Sequence, residues 1–205
     1  MASSILFITG TDTGVGKTVF AVLVTRHLRE RGFCVAALKP VCSGSRDDAR
    51  RLRDEAGRAL PLDEVNPWHF RAPVAPLLAA RKEKKRVRLR EVMAHIRRVA
   101  KRFDVVVVEG AGGLLSPLGE DFDSRDLIKA LGATPIIVCP NKLGAVNQVR
   151  LTVGALPRAA ARQASIVLVN PARPDAASRT NLKLLKEFVG PNRLRILPWL
   201  GEKRR

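Results

Sequence analysis

The sequence predicts an α/β fold in which a doubly wound, mainly parallel sheet is flanked by helices on both faces. Short β-branched runs alternate with longer stretches of helical period along the chain, as a parallel sheet with right-handed crossovers requires. The run DVVVVE at 104–109 has only apolar residues between its ends, which is typical of a strand buried on both faces. A glycine-rich turn at 10–18 joins the first predicted strand to the first predicted helix.

The predicted elements follow one another with little intervening chain. Strands are predicted where short apolar runs end in turn residues, at 4–9, 33–38, 104–109, 134–139, 165–170 and 194–197. Helices are predicted where apolar residues recur at helical spacing, at 18–31, 47–58, 88–102, 145–161 and 176–188. Four prolines fall within 61–76, which we therefore predict to be largely loop. No linker or repeat divides the sequence, and 205 residues suit a single domain spanning 1–205.

The composition argues against a membrane protein, a secreted protein and a protein built around disulfides or zinc. No run approaches the ~20 apolar residues of a membrane helix, and residues 1–10 lack the basic segment of a signal peptide. We therefore expect a cytoplasmic protein without a membrane partner. The scattered cysteines Cys34, Cys42 and Cys139 suit neither a disulfide framework nor a zinc site. Cys34 and Cys139 fall in strand-like runs, where we expect core residues.

A net charge of +18 is the unusual feature of the composition. It suits a nucleic-acid or anionic-membrane partner, or a basic surface that attracts anionic substrates. The basic residues are spread along the chain and are dense only at 81–90 and 203–205. Aromatic residues are 4% of the chain and include no tyrosine, so stacking platforms for single strands are scarce. We therefore do not expect nucleic-acid binding to be the main function.

The turn at 10–18, GTDTGVGKT, has the composition and the context of a P-loop. Its glycines allow backbone N–H groups to face inward, where they and the helix N-terminus bind phosphate oxygens. Lys17 is placed to reach the β- and γ-phosphates, and the Thr18 hydroxyl is a candidate Mg²⁺ ligand. The strict pattern has glycine six residues before the lysine, where this chain has Thr11, and Gly10 lies one residue further back. The predicted class is a P-loop NTPase.

A carboxylate ends the third predicted strand, at the edge of the sheet where ligands bind. Glu109 closes the DVVVVE run, the position where P-loop proteins often carry a second acidic metal partner. The small residues at 110–113 follow it and let the backbone approach the phosphates closely. Asp47 and Asp48 lie after the second predicted strand and offer either a further carboxylate or a helix N-cap.

Several segments, in order, resemble the dethiobiotin synthetase family and together span nearly the whole chain. The matching segments are TGTDTGVGKT at 9–18, KPVCSG at 39–44, NPW at 66–68 with Pro73 and Pro76, VEGAGG at 108–113 with SPL at 116–118, KLG at 142–144 with Asn147 and LT at 151–152, and Asn170 with PWL at 198–200. Each segment alone is moderately specific, and the ordered set is highly specific. Some family members carry glutamate at the position of Gly14, so one nucleotide-contacting carboxylate is absent here.

The resemblance implies a P-loop α/β homodimer that uses ATP and Mg²⁺. The implied reaction joins 7,8-diaminononanoate, CO₂ and ATP into the cyclic urea of dethiobiotin, with release of ADP and phosphate, in biotin biosynthesis. One substrate amine captures CO₂ as a carbamate, phosphorylation makes a mixed anhydride, and the neighbouring amine closes the ring. Two anions must meet in this reaction, so cations and a metal must screen them.

The resemblance also implies a role for individual residues. Lys17 and Lys39 would neutralise the γ-phosphate and the carbamate, and Thr13 and Ser43 would help to hold the carbamate or the substrate amines. Asn147 would reach a substrate carboxylate across the dimer interface, and Ser43 would also bind the substrate. The implied Mg²⁺ ligands are Thr18, Asp48 and Glu109. The implied nucleotide-binding residues are Gly14, Val15, Gly16, Lys17, Thr18, Val19, Asp48, Glu109, Gly110, Ala111, Gly112, Asn170, Pro198, Trp199 and Leu200, of which the last four would recognise adenine.

Three other interpretations are compatible with the predicted fold. A partition-type P-loop ATPase, acting as a switch on DNA or membrane, would suit the charge. Such proteins carry a signature lysine early in the P-loop, where this chain has Asp12, and they lack the KPVxSG segment. The synthetase domain of corrinoid amidation enzymes needs a glutamine amidotransferase domain, for which 205 residues leave no room. A degenerate, inactive paralogue is disfavoured because both lysines and all three candidate metal ligands are retained.

Overall fold

The structure is a computed structural model that describes residues 3–201. The protein folds into a parallel sheet between layers of helices. The strands are β1 Ser4–Gly10, β2 Val35–Leu38, β3 Val41–Ser43, β4 Trp68–Phe70, β5 Val105–Glu109, β6 Thr134–Pro140, β7 Ser165–Val169 and β8 Leu194–Leu197. The α-helices are α1 Lys17–Glu30, α2 Asp47–Glu55, α3 Leu62–Val65, α4 Pro76–Lys82, α5 Leu89–Ala100, α6 Ser124–Leu131, α7 Ala145–Ala155, α8 Arg158–Gln163 and α9 Ala176–Val189, and Pro191–Arg193 forms a 3-10 helix.

Six strands form the main sheet in the order β2-β5-β1-β6-β7-β8, and all neighbouring strands run parallel. β1 lies between β5 and β6, so that Leu6 is opposite Val107 on one side and Thr134 on the other. The chain passes from β5 to β6 across β1, and the direction of winding therefore reverses there. The crevice at such a switch point is where open α/β sheets bind ligands. The prediction of a doubly wound parallel sheet is confirmed.

The central strands are buried on both faces, as the valine run indicates. All residues of β5 are buried. Val106 packs with Phe7 in one apolar core, and Val107 packs with Ile8 in another. Because successive side chains of a strand point to opposite faces, the two cores lie on opposite sides of the sheet. Residues of α5 and α9 contribute to the first core, and residues of α1 contribute to the second.

The proline-rich segment 61–76 is more regular than predicted. It contains α3 and β4, and α4 begins at Pro76. β4 pairs in parallel with β3 to form a small second sheet, in which Val41 lies opposite Trp68. Pro61 is the N-cap residue of α3 and Pro76 is in the first turn of α4, where a helix does not need the missing N–H. The prediction of a largely looped segment is therefore wrong for these parts.

Two helices and one helix break were also not predicted. The two helices are α4 and α6. Helix α6 begins at a capping box, in which the Asp123 side chain accepts a hydrogen bond from the N–H of Asp126. The predicted helix 145–161 is two helices, because Pro157 lacks an N–H. The predicted helix 47–58 ends at Glu55, and Arg58 lies beyond it with a φ of 57°.

The structure changes one expectation, which is that Cys34 is a core residue. Cys34 is exposed, because it precedes β2, whereas Cys139 is buried as expected. The basic run 81–90 covers the end of α4, a turn and the start of α5, and Arg81 pairs with Glu120 at 2.7 Å. Within residues 3–201 no helix is long and apolar enough to cross a membrane. The basic cluster at 203–205 lies outside the described residues.

Candidate active site

The turn at 10–18 connects β1 to the N-terminus of α1. Gly14 and Gly16 have φ values of 72° and 96°, and Gly16 is the N-cap residue of α1. Left-handed backbone of this kind favours glycine and turns N–H groups towards a common point. The departure at Thr11 has a packing explanation. Position 10 needs a glycine, because a Cβ there would lie 2.6 Å from Val15 Cγ2. Position 11 does not need one, because the φ of Thr11 is not positive. The glycine of the motif therefore lies one residue earlier in this chain.

Lys17 begins α1, and its side chain lies buried against the loop. Its Nζ donates a hydrogen bond to the carbonyl oxygen of Asp12 at 2.8 Å. Burial, followed by the positive charge of Lys39, lowers the pKa of Lys17 to about 8, although nearby carboxylates act in the opposite direction. A phosphate in the loop would favour the charged ammonium again, because opposite charges stabilise one another at short range.

Glu109, at the end of β5, is the centre of a buried charge cluster. Its Oε1 accepts hydrogen bonds from the Thr18 hydroxyl at 2.8 Å and from Lys39 Nζ at 2.5 Å. Lys39 also donates to the carbonyl oxygen of Gly110 at 3.1 Å and lies 3.5 Å from Asp48 Oδ2. Burial acts to lower the pKa of Lys39, but Glu109 and Asp48 outweigh burial and hold that pKa above its ordinary value. Lys39 is therefore a cation at neutral pH, beside the P-loop.

The same cluster fits a Mg²⁺–nucleotide site. Glu109 Oε2 is buried without a hydrogen-bond partner, and the Thr18 hydroxyl lies against the other oxygen of that carboxylate. Mg²⁺ prefers oxygen ligands and is usually bound through one or two carboxylates together with substrate phosphates. Among residues 3–201 no group of three or more His, Cys, Asp or Glu side chains could hold a metal by itself. The orphaned oxygen of Glu109, the Thr18 hydroxyl and the Asp48 carboxylate suit a metal that completes its shell with phosphate oxygens.

Small residues and hydroxyl groups form the remaining walls. Gly112 has a φ of 68°, and a Cβ at this position would collide with Ser116 Oγ. The Ser116 hydroxyl accepts a hydrogen bond from the N–H of Gly113 at 2.8 Å. On the opposite side, the Ser43 hydroxyl donates to the carbonyl oxygen of Val74 at 2.5 Å. The last residue of β3 and the loop after β5 therefore both bring serine side chains to the site.

These elements enclose a cleft of about 690 Å³. Its P-loop end contains both buried lysines, and the segment 73–76 supplies an apolar wall. Such a cleft can hold an anionic group beside an apolar chain. Of the residues implied by the family resemblance, the cleft brings together Thr13, Gly14, Gly16, Lys17, Thr18, Val19, Lys39, Ser43, Asp48, Glu109, Ala111 and Gly112.

The other implied residues lie outside the cleft. Val15 belongs to the P-loop, and its side chain is buried. Gly110 contacts Lys39 through its carbonyl oxygen without lining the cleft. Asn147 is exposed on α7. Asn170 follows β7 and 198–200 follow β8, at the same edge of the sheet but beyond the cleft wall. The implied residues outside the cleft are therefore Val15, Gly110, Asn147, Asn170, Pro198, Trp199 and Leu200, and their roles remain predictions.

Several cleft residues were not among the predicted site residues. They are Cys42, Ser45, Arg51, Pro73, Val74, Ala75, Pro76, Ser116 and Pro117. Arg51 lies three residues after Asp48, on the same face of α2, so helical spacing could have identified it. Most of the others belong to segments that resemble the family, and the sequence offered no means of separating wall residues from their neighbours.

The fold and the site define the general class of the protein. A P-loop that opens a helix at the switch point of a parallel sheet is the defining arrangement of P-loop NTPases, and the predicted fold class is confirmed at this level. The sequence model of a family described as an AAA domain matches residues 4–203.

Curated relatives give the family. The chain is 42% identical over 199 residues to the ATP-dependent dethiobiotin synthetase BioD of Anaeromyxobacter dehalogenans (strain 2CP-C), covering 95% of this chain and 89% of the relative. It is 36% identical over 202 residues to the enzyme of the same name from Bacillus licheniformis, covering 96% and 86%. The chain belongs to the dethiobiotin synthetase family, and the family prediction is confirmed.

A solved structure shows the fold more distantly. The signal recognition particle receptor FtsY from Elizabethkingia anophelis matches with a TM-score of 0.53 at 16% identity, covering 98% of this chain and 60% of that chain. At this identity the likeness concerns the fold alone. It extends over 98% of the present chain.

Proposed function

We propose that this chain is an ATP-dependent cyclo-ligase that converts 7,8-diaminononanoate and CO₂ into dethiobiotin, with release of ADP and phosphate, in biotin biosynthesis. The observation that supports this most is a second buried lysine, Lys39, held against Glu109 beside the P-loop Lys17 in a chain of the dethiobiotin synthetase family. A reaction between two anions needs a cation beyond the P-loop lysine, and Lys39 supplies one. The partition-type alternative is not favoured.

The proposed reaction has three steps. An amine of the diamine adds to CO₂ and loses a proton, which gives a carbamate anion. A carbamate oxygen then attacks the γ-phosphorus of ATP, so that ADP leaves and a carbamic–phosphoric anhydride forms. The neighbouring amine attacks the carbonyl carbon of that anhydride, phosphate leaves, and loss of a proton completes the cyclic urea.

The chain's own residues would act mainly through charge and position. Lys17 and Lys39 would offset the repulsion between the carbamate and the γ-phosphate, which is strong where water is excluded. Thr13 and Ser43 would hold the carbamate or the substrate amines at the mouth of the P-loop. The bound Mg²⁺ would supply further neutralisation of phosphate charge, with Thr18, Asp48 and Glu109 as its proposed ligands.

The proposed adenine site is formed by Asn170 and by the backbone of 198–200. The N–H of Asn170 donates to the carbonyl oxygen of Leu197 at 2.9 Å, which joins the ends of β7 and β8. Val169 lies next to the P-loop, since a Cβ at Gly16 would be 3.6 Å from Val169 Cγ2. A nucleotide with its phosphates in the P-loop could therefore extend its base towards this edge.

Phosphate release from MgATP tests the proposed function. We expect release in the presence of bicarbonate only when 7,8-diaminononanoate is added, with one dethiobiotin formed for each phosphate by mass spectrometry. Omission of bicarbonate is the control for carbamate formation. Release that does not need the diamine, and that DNA or anionic vesicles stimulate, would overturn the proposal and favour a partition-type ATPase.

We also propose that residues 1–205 act as one cytoplasmic domain on small molecules, without a membrane or nucleic-acid partner. Both apolar cores share the main sheet, which supports a single unit. The basic run 81–90 is partly neutralised, because Arg81 pairs with Glu120 and Lys85 with Glu83. The remaining positive charge would attract the anionic nucleotide and the carboxylate of the diamine.

A second copy of the chain is our proposed partner for the exposed face of α7 and α9. Leu143 and Leu151 are 85% and 65% exposed, and each lies four residues from Asn147. On α9 the ring of Phe188 is half-exposed, and Arg150 stacks on it at 4.3 Å. Large apolar side chains grouped on one face are typical of protein interfaces. In the proposed homodimer, Asn147 would bind the substrate carboxylate in the partner's cleft.

A charge at this face should break the proposed dimer. Leu151→Glu is expected to be monomeric by light scattering, because an unpaired carboxylate is costly to bury in an apolar interface. Its diamine-dependent activity should fall about a hundredfold, since Asn147 of the partner subunit is withdrawn from the cleft. Phe33→Glu, an exposed position before β2, should remain dimeric and active. A monomeric wild-type protein with full activity would contradict the proposed interface.

A further inference from the structure

Three asparagine side chains form a hydrogen-bonded line from α9 to the end of β7. We call Asn141, Asn170 and Asn181 the asparagine relay. Asn141 is 1% exposed and Asn181 is 7% exposed, and neither has a part in the proposed reaction. Burial of an amide is unfavourable unless its donors and acceptors are paired. The hydrogen bonds of each amide therefore fix the orientation of the next one.

Backbone carbonyl groups fix the orientation of the two buried amides. Asn181 Nδ2 donates to the carbonyl oxygen of Lys142 at 2.9 Å and to Asn141 Oδ1 at 3.0 Å. Asn141 Nδ2 donates to the carbonyl oxygen of Ser178 at 2.8 Å. A carbonyl oxygen can only accept, so neither amide can turn over without losing hydrogen bonds and bringing oxygen against oxygen.

The orientation of Asn141 determines that of Asn170. The second N–H of Asn141 donates to Asn170 Oδ1 at 2.8 Å. This bond requires an acceptor, and it leaves Nδ2 of Asn170 on the other side, away from the buried amides. Within residues 3–201 that Nδ2 makes no hydrogen bond. Asn170 therefore offers free N–H donors and one remaining lone pair of Oδ1 at the edge of the sheet that holds the P-loop.

We propose that Asn141 and Asn181 are positioning residues that hold the Asn170 amide in the orientation that selects adenine over bases with oxygen at position 6. The inference rests on the proposed function, in which Asn170 contacts the base. An amide with both a donor and an acceptor matches N7 and the 6-amino group of adenine, the pair that asparagine recognises in nucleic acids. Guanine and hypoxanthine have an oxygen at position 6, which would face Asn170 Oδ1 as acceptor against acceptor. An amide released from Asn141 could instead rotate until its Nδ2 lies opposite both O6 and N7 of such a base, which are both acceptors, and most of the selectivity would be lost.

Binding of nucleoside diphosphates tests the relay without catalysis. ADP and inosine diphosphate differ in the base edge around position 6, where an amino group is replaced by oxygen. We expect the full chain with Mg²⁺ to bind ADP about tenfold to a hundredfold more tightly than inosine diphosphate in calorimetry. In Asn141→Leu, where nothing holds Oδ1 of Asn170, the ratio should fall to about threefold or less.

A matched variant separates positioning from loss of packing. Leu185→Ala loosens α9 one turn from Asn181, at a buried position that takes no part in the relay's hydrogen bonds. It should keep the wild-type ratio of the two dissociation constants, even where both affinities fall. If Asn141→Leu does not fold, Asn181→Ala replaces it, because this change frees Asn141 Oδ1 and should lower the ratio at least threefold.

Two results would overturn the proposal. One is a wild-type chain that does not distinguish ADP from inosine diphosphate. The other is an unchanged ratio in a folded Asn141→Leu or Asn181→Ala protein. Diamine-dependent phosphate release tells these failures from a failure of the proposed function. If phosphate release still depends on the diamine but the variants leave the ratio of the two dissociation constants unchanged, the relay proposal fails and the ligase proposal stands. If release does not depend on the diamine but the variants lower that ratio, the ligase proposal fails and the relay selects the base in a different ATPase.

Discussion

Lys39→Met is expected to slow dethiobiotin formation severely and to destabilise the folded chain at the same time. Lys39 is 4% exposed and donates to Glu109, which is 1% exposed. Removing one partner of a buried ion pair costs about 3–5 kcal/mol, because the other charge stays buried without a partner. For a chain of this length that corresponds to a fall in Tm of roughly 10 °C, measured by calorimetry. Loss of the cation beside the reacting anions should lower kcat about a thousandfold in the phosphate-release assay.

The double variant Lys39→Met/Glu109→Gln separates the two effects. A neutral amide at Glu109 removes the uncompensated charge, so most of the lost stability should return while the activity does not. Lys129→Met, an exposed lysine on α6, is the matched control for removal of one positive charge and should resemble the wild type in both assays. An active Lys39→Met protein would contradict the proposed catalytic role. A double variant no more stable than Lys39→Met would contradict the explanation from the buried pair.

Continuous apolar runs explain why most of the main sheet could be predicted. β5 is buried at every position, and its run of valines indicates burial on both faces before any partner strand is known. β3 and β4 were missed for the opposite reason. Each has only three residues, which is too short for a period of two to be visible, and their pairing of Val41 with Trp68 joins distant parts of the chain.

The candidate site could be predicted where one short motif supplies it. Lys17 and Thr18 belong to a turn whose sequence specifies its own conformation. Glu109 could be predicted to lie near them, because parallel strands end at a common edge of the sheet. The pairing of Lys39 with Glu109, 70 residues apart, depends on the order of β2 and β5 in the sheet. No local pattern contains that order. Buried polar groups such as the asparagine relay are equally hard to predict, because an isolated asparagine has no periodicity.

Nucleotide binding is expected to become coupled to proton uptake above pH 8 and to weaken as the pH rises. Burial and the charge of Lys39 lower the pKa of Lys17 to about 8 in the free chain, and bound phosphates should raise it again. Well below pH 8 the ammonium is charged both before and after binding, and little proton is exchanged. At pH 9 the free amine is about 90% neutral, so ADP should bind with uptake of about 0.9 proton and about fivefold more weakly than at pH 8.

Calorimetry of ADP binding at pH 9, in buffers with different ionisation enthalpies, measures that uptake directly. The other titrating groups of the cleft should contribute little, because burial raises the pKa of the Cys42 thiol and carboxylates hold the pKa of Lys39 above its ordinary value. Lys17→Arg is the matched control, since a guanidinium keeps its charge throughout this range. The variant should take up no proton and bind ADP with an affinity that does not change between pH 7.5 and 9. Equal proton uptake by Lys17→Arg and the wild type would assign the titration to another group and contradict the lowered pKa of Lys17.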